Sequence, residues 1–345
     1  MARLRFGLAL DFGTQRASLD RVLAEYVPLL NLAERYGFHS VWAGENYPMR
    51  PGAFHVASPF LLLAGLSGST TLALGTGVTL GPAWHPLRLA YDGAILDQLS
   101  GGRFILGVGA GDPTTWRRFG VDRQQVGAFM DDLLAALKAL WSGASGFRGR
   151  LLSVEGGVSP LPLQAGGPPV WVGGASPRAA RRAASLGDAW YAATSYALSA
   201  VRAQAERYRA ALERLDGPPR QACVSVNRLA CLADAPERAS SEGGRYLEGV
   251  LEKYAALGGL PSADAADRAT VPAFPSMAGS TPLLGALGAS LCLLGSPQMV
   301  VEQLGAYAEA GVTDVQLRVV PADMPLELVA RTITLAGEHV LPHFA

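Results

Sequence analysis

The segment VGGASP, residues 172–177, combines residue types that suit binding of a phosphate group. Its two glycines let the backbone approach a ligand closely, and Ser176 followed by proline is a typical helix start. A helix N-terminus presents free N–H groups and the positive end of a dipole, and both attract anions. The segment therefore predicts either a phosphate-binding loop or a tight strand-to-helix turn that binds nothing.

Other polar residues follow predicted strands, where parallel α/β folds place their active sites. They are Asp11, Glu45, Asn46, Tyr47, Thr79, Asp112, Thr194, Ser195, Asn227 and Arg228. Glu45 and Asp112 are candidates for the paired carboxylates of a glycosidase. Partial burial would raise the pKa of either carboxyl and suit it to proton transfer. Asp112 also fits a second interpretation, as a turn residue that caps a helix before a proline.

Several kinds of catalysis are disfavoured by residue types that the strand ends lack. Lys138 and Lys253 are the only lysines, and both fall in predicted helices, which excludes Schiff-base chemistry. The five histidines form no HxH or HExxH pair, so a zinc hydrolase is not expected. We therefore expect no metal, and we expect a cofactor to supply the difficult chemistry.

The elements that must position these residues follow a regular pattern of short apolar runs and helix-period segments. Strands are predicted at residues 4–10, 39–44, 71–78, 103–109, 169–174, 189–194, 222–233 and 314–319. Most of these runs are almost wholly apolar, as in a parallel sheet buried on both faces. Eight βα units predict an α/β fold of the (β/α)8 TIM barrel type, and a doubly wound open sheet is the alternative.

The chain is predicted to form a single domain over residues 1–345. The glycine-rich stretch 143–168 interrupts the βα pattern and predicts an insertion that contains a small hairpin. A second insertion is predicted at 259–290, and it begins with a long loop rich in proline, alanine and serine.

Composition excludes several other classes of protein. The chain is 49% hydrophobic and 17% charged, and 29 basic residues balance 29 acidic ones. Such a chain is not disordered, and its neutral charge argues against binding to nucleic acid. No apolar run is long enough to span a membrane, and the three cysteines fit a reducing compartment. We therefore expect a soluble cytoplasmic enzyme that acts on a small-molecule substrate.

Four blocks of the sequence resemble the bacterial luciferase-like flavin oxidoreductases. They are ERYGFHSVWAGEN (34–46), HPLRLAYDGAILDQLSGGRFILGVGAGD (85–112), PVWVGGASPRAARRAASLGDAWY (169–191) and GSPQMVVEQLGAYAEAGVTDVQL (295–317). The resemblance implies a (β/α)8 barrel that binds either FMN or the 5-deazaflavin coenzyme F420. With FMN it implies insertion of oxygen, and with coenzyme F420 it implies hydride transfer.

The same resemblance implies roles for individual residues. Gly77 and Val78 match a non-prolyl cis peptide that supports the rear face of the flavin ring, and Thr79 follows them. The other implied cofactor-binding residues are Asp112, Gly173, Gly174, Ala175, Ser176, Thr194 and Ser195. Asp112, Glu45 and Asn46 are the implied catalytic residues.

Three positions bear on the choice of cofactor and reaction. Asn46 stands where many relatives have histidine, and asparagine can hydrogen-bond but cannot act as a base. Ala110 stands where FMN-using members often carry an arginine that clamps the phosphate, and Asp112 follows as in deazaflavin relatives. Glu45 instead resembles the FMN-using members. On balance these residues favour coenzyme F420 over FMN.

Three functions follow from this resemblance. The first is hydride transfer between coenzyme F420 and a small organic substrate, and we prefer it. The second is an FMN-dependent monooxygenase that receives reduced flavin from a separate reductase. The third is a flavin-binding protein without catalysis, which Asn46 in place of histidine allows. A homodimer is expected from the family in each case.

Overall fold

The computed structural model describes residues 3–10, 19–47, 58–256, 284, 290–319 and 324–345, apart from the side chains of residues 19 and 253. The strands within these ranges are β1 (Arg5–Leu10), β2 (Ser40–Ala43), β3 (Ala73–Thr76), β4 (Thr79–Leu80), β5 (Phe104–Gly109), β6 (Gly146–Arg148), β7 (Ser153–Glu155), β8 (Val170–Gly173), β9 (Ala189–Ala192), β10 (Val224–Leu232), β11 (Cys292–Gly295) and β12 (Asp314–Arg318).

Eight parallel strands close into a barrel in the order β1, β2, β3, β5, β8, β9, β10, β12 and back to β1. Nearly every residue of these strands is buried, because the outer helices cover one face and side chains fill the interior. The predicted (β/α)8 barrel is therefore confirmed. Each of its eight strands overlaps one of the predicted strands.

The helices are α1 (Leu19–Arg35), α2 (Pro59–Leu66), α3 (Pro86–Leu99), α4 (Pro113–Arg118), α5 (Val126–Trp141), α6 (Pro177–Leu186), α7 (Leu198–Leu212), α8 (Pro236–Ala256), α9 (Pro297–Glu309) and α10 (Leu326–His339). Four of them begin with proline after a side chain that caps the first turn. These caps are Ser58, Asp112, Ser176 and Ser296. Proline fixes the helical φ and lacks the N–H that a first turn leaves unbonded, so it starts a helix without cost.

Three local features differ from the sequence prediction. The strand predicted at 71–78 ends at Thr76, and a cis peptide bond between Gly77 and Val78 separates it from β4. β11 was not predicted, because its four residues lie in an apolar run that glycines interrupt. It pairs with the second half of β10, beyond the residues of β10 that pair with β9, and Leu229 pairs with both β11 and β12. Helix α4 was also not predicted, because it has only six residues.

The two predicted insertions have different outcomes. Within 143–168, β6 and β7 form an antiparallel hairpin, in agreement with the prediction for that stretch. The stretch 259–290 lies almost entirely outside the described residues.

The amino end of the barrel is closed by polar residues that contact one another. The Asp314 carboxylate, which is fully buried, pairs with Arg5 at 2.9 Å and accepts a hydrogen bond from Thr313 at 2.6 Å. The Nδ1 atom of His39 donates to the carbonyl of Phe6 at 2.9 Å. In barrels of this type the amino end serves stability, and the carboxyl end carries the active site.

Candidate active site

A cavity of about 620 Å³ opens at the carboxyl ends of the barrel strands, and this volume suits a cofactor-sized ligand. Nine of the predicted site residues line it, namely Glu45, Asn46, Gly77, Val78, Gly173, Gly174, Ala175, Ser176 and Thr194. Thr79, Asp112 and Ser195 do not line it. The structure therefore brings most of the predicted positions to one place.

The floor of the cavity is a backbone bulge at Gly77 and Val78, which are joined by a cis peptide bond as the resemblance implied. Its position is fixed by two hydrogen bonds, from Gly77 N to the Ala43 carbonyl at 2.8 Å and from Glu45 N to the Val78 carbonyl at 3.1 Å. A Cβ atom on Gly109 would lie 3.1 Å from Val78 Cγ2. Glycine at this exit therefore leaves room for the bulge and for a flat ring above it.

The loop from Gly173 to Ser176 is held by its carbonyl groups. The Gly174 carbonyl accepts from Trp190 Nε1 at 2.9 Å, and the Ser176 carbonyl accepts from Gln204 Nε2 at 2.7 Å. No acceptor among the described residues takes the backbone N–H of Ala175 or Ser176. The loop therefore has donors available for an anion at the edge of the cavity, and this geometry favours the phosphate-binding interpretation.

Arg182 brings a guanidinium group to the cavity, and residue spacing did not predict it. Its guanidinium is buried, lines the cavity, and is oriented by Asp131 at 2.7 Å and by the Gly127 carbonyl at 2.9 Å. Arg182 is the sixth of the ten residues of α6, in the middle of that helix. Its direction depends on the packing of α5, which residue spacing does not reveal.

A hydrogen-bonded chain of three side chains lies beside the bulge. Thr194 Oγ1 donates to Asn227 Oδ1 at 2.9 Å, and Asn227 Nδ2 donates to the Tyr191 hydroxyl oxygen at 3.1 Å. Burial raises the pKa of Tyr191 well above its usual value, so its hydroxyl stays protonated. Because the oxygen already accepts from Asn227, its proton is available to a ligand in the cavity.

Glu45 lines the cavity, but its carboxylate is occupied by groups of the protein. It accepts from the Tyr47 hydroxyl at 2.5 Å, from Leu80 N at 2.6 Å and from Trp84 Nε1 at 3.0 Å. Burial raises the pKa of Glu45, and these hydrogen bonds partly oppose the shift. In this arrangement the side chain joins the exits of β2 and β4, and both of its oxygens already accept hydrogen bonds from the protein.

Asp112 is exposed and caps α4, which is its second interpretation from the sequence. Its carboxylate accepts from Thr114 N at 2.7 Å and from Thr115 N at 3.1 Å. Because it does not line the cavity that Glu45 lines, the structure does not bring the two carboxyls together as a glycosidase requires. A catalytic or cofactor role for Asp112 stays a prediction.

The remaining polar candidates differ in exposure. Asn46 is exposed at the mouth of the cavity, next to Glu45. Ser195 and Thr79 are buried outside the lining, and Thr79 Oγ1 has no hydrogen-bond partner within the described part of the chain. Across those residues no cluster of three or more histidine, cysteine, aspartate or glutamate side chains could hold a metal ion.

Aromatic side chains and one arginine complete the wall, and most were not assigned to the site from sequence. Trp42 is fully buried and packs against Tyr191, with ring centroids 5.4 Å apart. Arg318, at the end of β12, donates to the Tyr254 hydroxyl at 3.2 Å. Trp116, Tyr196 and Tyr254 also line the cavity. The cavity therefore combines aromatic walls with several polar groups that could orient an organic ligand.

The family described as luciferase-like monooxygenase matches residues 4–314, which is most of the chain. The chain belongs to this family. Its relatives include flavin-dependent monooxygenases and reductases that depend on coenzyme F420. Both kinds of relative are oxidoreductases.

Individual relatives show both kinds of chemistry. The chain is 34% identical over 173 residues to the oxygenase component of a flavin-dependent trigonelline monooxygenase from Acinetobacter baylyi, covering 48% of this chain and 46% of that protein. It is 31% identical over 160 residues to a 5,10-methylenetetrahydromethanopterin reductase from Archaeoglobus fulgidus, covering 46% of each. The aligned part of the chain thus spans about half the length of these relatives.

A solved structure extends the similarity to the whole chain. The monooxygenase RslO1 from Streptomyces bottropensis superposes with a TM-score of 0.83 at 25% identity, covering 99% of this chain and 100% of that one. No helix in the ranges that the structure describes is long and apolar enough to cross a membrane.

Proposed function

We propose that this family member transfers a hydride between coenzyme F420 and a small organic substrate. The observation that carries the proposal is that one cavity contains both the backbone bulge at Val78 and the loop at Ser176. A flavin-type cofactor has a flat ring and a phosphate at the end of a short chain, so it needs two such features within one site.

The described residues fit a cofactor of this kind. The bulge would support the ring, while the N–H groups of Ala175 and Ser176, with the Arg182 guanidinium, would bind the phosphate. The Tyr191 hydroxyl would donate a hydrogen bond to the ring or to the substrate. When bound, a deazaflavin ring would give or accept two electrons in the form of a hydride. The protein then contributes orientation, exclusion of water and hydrogen-bond donors.

Ala110 supports coenzyme F420 over FMN in this site. It lines the cavity at the exit of β5, where the resemblance places an arginine clamp in many FMN-using members. No guanidinium therefore reaches the phosphate region from that exit, and the positive charge comes from Arg182 in α6 instead.

A second candidate function is an FMN-dependent monooxygenase. It is favoured by the 34% identical relative and by RslO1, which are both monooxygenases. The occupied Glu45 carboxylate also favours it, because alcohol oxidation by hydride transfer needs a base that this residue does not provide. In this case a separate reductase would supply reduced FMN, and the same bulge and loop would hold it.

The two functions differ in the compound that oxidises the reduced cofactor, which is an organic substrate in the first and oxygen in the second. In one arm, reduced coenzyme F420 is mixed with the protein and a panel of activated alkenes, imines and ketones without oxygen. Return of the oxidised coenzyme's fluorescence with a substrate supports hydride transfer. In the other arm, reduced FMN is supplied with oxygen. Substrate-dependent product formation only in this second arm would overturn the first proposal and support the monooxygenase.

A further inference from the structure

A second, smaller cavity of about 210 Å³ lies between α5 and α6. It is lined by Ala128, Asp131, Arg150, Arg178, Arg181 and Arg182. Arg182 lines both this cavity and the large one, so the two cavities are adjacent and share this side chain. We call the smaller cavity the arginine pocket.

The arginine pocket carries an excess of positive charge. Asp131 pairs with Arg182, and the Asp132 carboxylate, which accepts from Leu151 N and Leu152 N, attracts Arg150. Among the described residues, Arg178 and Arg181 have no ion-pair partner. Four guanidinium groups thus face two carboxylates, which leaves the pocket with a positive potential that favours an anion.

The position of the pocket indicates where such an anion would come from. Arg178 is the second residue of α6 and Arg182 the sixth, so both project from the helix whose N-terminus forms the phosphate-binding loop. Arg178 and Arg182 also approach the same residue of α5, because a Cβ atom on Gly127 would lie 3.6 Å from Arg178 Nη1 and 3.8 Å from Arg182 Nη2. Because Arg182 lines both cavities, a molecule whose phosphate lies at Ser176 could continue into the pocket.

We propose that the arginine pocket binds anionic groups that extend from the cofactor beyond its phosphate. The inference rests on the proposed function. It adds the part of the cofactor that would distinguish coenzyme F420 from FMN at this site. FMN ends at its phosphate, whereas coenzyme F420 has a phosphodiester followed by a tail that carries several carboxylates. A pocket of arginines past the phosphate position fits the second cofactor and has no group of FMN to bind.

The experiment compares coenzyme F420 that carries its carboxylate tail with the form that ends just after the phosphodiester. Both are titrated into the full-length protein, and binding is followed by fluorescence. Because ion pairs at partly exposed sites change affinity by about two- to fivefold each, we expect the tail to tighten binding by about five- to tenfold at low salt. Raising the salt to about 0.5 M should remove most of this gain.

Two double variants locate the effect. In Arg178→Gln/Arg181→Gln, the affinity ratio between the two forms of the cofactor should fall close to one. In Arg3→Gln/Arg35→Gln, which removes two exposed arginines at the amino end of the barrel, the ratio should stay as in the wild type. Two results would overturn this inference without affecting the proposed function. One is equal affinity of the wild type for both forms of the cofactor, and the other is an equal fall of the affinity ratio in both double variants. Failure of every form to bind would instead contradict the proposed function.

Discussion

Ser176 is a residue whose sequence context predicts two functions at once, a helix cap and a phosphate ligand. Its hydroxyl accepts from Ala179 N at 3.2 Å, and its backbone N–H faces no acceptor among the described residues. Ser296 has the same arrangement at the start of α9, where it accepts from Met299 N at 3.5 Å, but it does not line the cavity. Comparing variants of the two serines therefore distinguishes the effect of a lost helix cap from an effect on cofactor binding.

We expect Ser176→Ala and Ser296→Ala each to lower the free energy of unfolding by about 1 kcal/mol, because each removes a capping hydrogen bond. Only Ser176→Ala should weaken binding of the phosphate-bearing cofactor relative to its phosphate-free form, because the Ser176 hydroxyl that accepts from Ala179 N still has a proton to donate to the phosphate. Urea unfolding and fluorescence titration measure the two effects. If both variants bound the cofactor equally well, the Ser176 hydroxyl would not contact the phosphate.

Glu45 is a buried carboxylate whose hydrogen bonds indicate a structural contribution. Replacing it with glutamine puts an amide N–H₂ among three donors, from Tyr47, Leu80 and Trp84. Because this leaves buried donors unpaired, we expect Glu45→Gln to cost about 1–3 kcal/mol in the free energy of unfolding.

The matched control for that variant is Glu155→Gln, which changes an exposed glutamate at the end of β7 and should leave stability within about 0.5 kcal/mol of the wild type. Chemical unfolding of both variants supplies the comparison. Equal stability in Glu45→Gln and the control would show that the Glu45 hydrogen bonds do not stabilise the fold.

The sequence predicted the site residues unequally. Residues at the glycine-rich carboxyl ends of the strands, such as Gly77 and Gly173, could be predicted. A ligand that lies close to the backbone leaves room there only for small residue types. Arg182 and Tyr191 could not, because a side chain in a helix or strand reaches the cavity only through packing between distant elements. The structure also shows Asp112 as a helix cap, which local spacing alone could not separate from a catalytic role.

At the scale of elements, the eight barrel strands were predictable because two buried faces require nearly continuous apolar runs. β11 has the same apolar character, yet it lies outside the ring, and among the described strands it pairs with the second half of β10 alone. Residue pattern gives a strand's burial but not its partner. Element order and barrel closure were therefore predictable, while this additional pairing was not.

His39, the residue before β2, makes the free energy of unfolding depend on pH. Burial lowers the pKa of His39, and the hydrogen bond to the Phe6 carbonyl and the Asp314 carboxylate, 4.0 Å from its Nε2 atom, only partly offset this lowering. The folded state therefore binds a proton less readily than the unfolded state. Stability should fall as pH decreases below about 6.5, the usual histidine pKa.

Urea unfolding between about pH 8 and pH 5 measures this loss in the wild type. His39→Asn can keep the donor to the Phe6 carbonyl without a titrating ring, so the fall should be smaller in that variant. His339→Asn, at an exposed position in α10, should follow the wild type. A pH profile unchanged by His39→Asn would contradict this account of the barrel end.

At the scale of the whole molecule, α2 and α3 carry large apolar side chains on their outer faces. Leu61 is 74% exposed, Leu99 57% and Ile95 43%, although monomeric proteins keep such patches small. Together with the family resemblance, this face leads us to expect a homodimer that buries it.

Light scattering after size-exclusion chromatography tests that expectation. Leu61→Asp/Leu99→Asp should shift the wild-type dimer to monomer, because a buried aspartate without a partner is costly. Leu215→Asp, which changes an exposed leucine after α7, should not change the mass. A wild-type protein that elutes as a monomer would contradict the expectation directly.

The distribution of charge over the whole molecule suits a protein whose reactive group arrives with a ligand. The chain has 29 basic and 29 acidic residues, but the bulge at Gly77 and Val78 carries no charge, and four arginines gather past the Ser176 loop. The barrel thus offers an uncharged floor for a ring and a positive edge for an anion.

The most direct test of the central claim is an anaerobic fluorescence titration of the purified protein with coenzyme F420 and with its phosphate-free deazaflavin. The account predicts saturable binding of one cofactor per chain. It also predicts that the phosphate-bearing form binds at least about tenfold tighter, since charge-assisted hydrogen bonds to loop N–H groups and Arg182 add to ring binding. FMN and riboflavin form the parallel pair. The assignment of this cavity to a flavin-type cofactor would be contradicted if neither ring bound in either form. It would also be contradicted if, for both rings, the forms with and without phosphate bound with equal affinity.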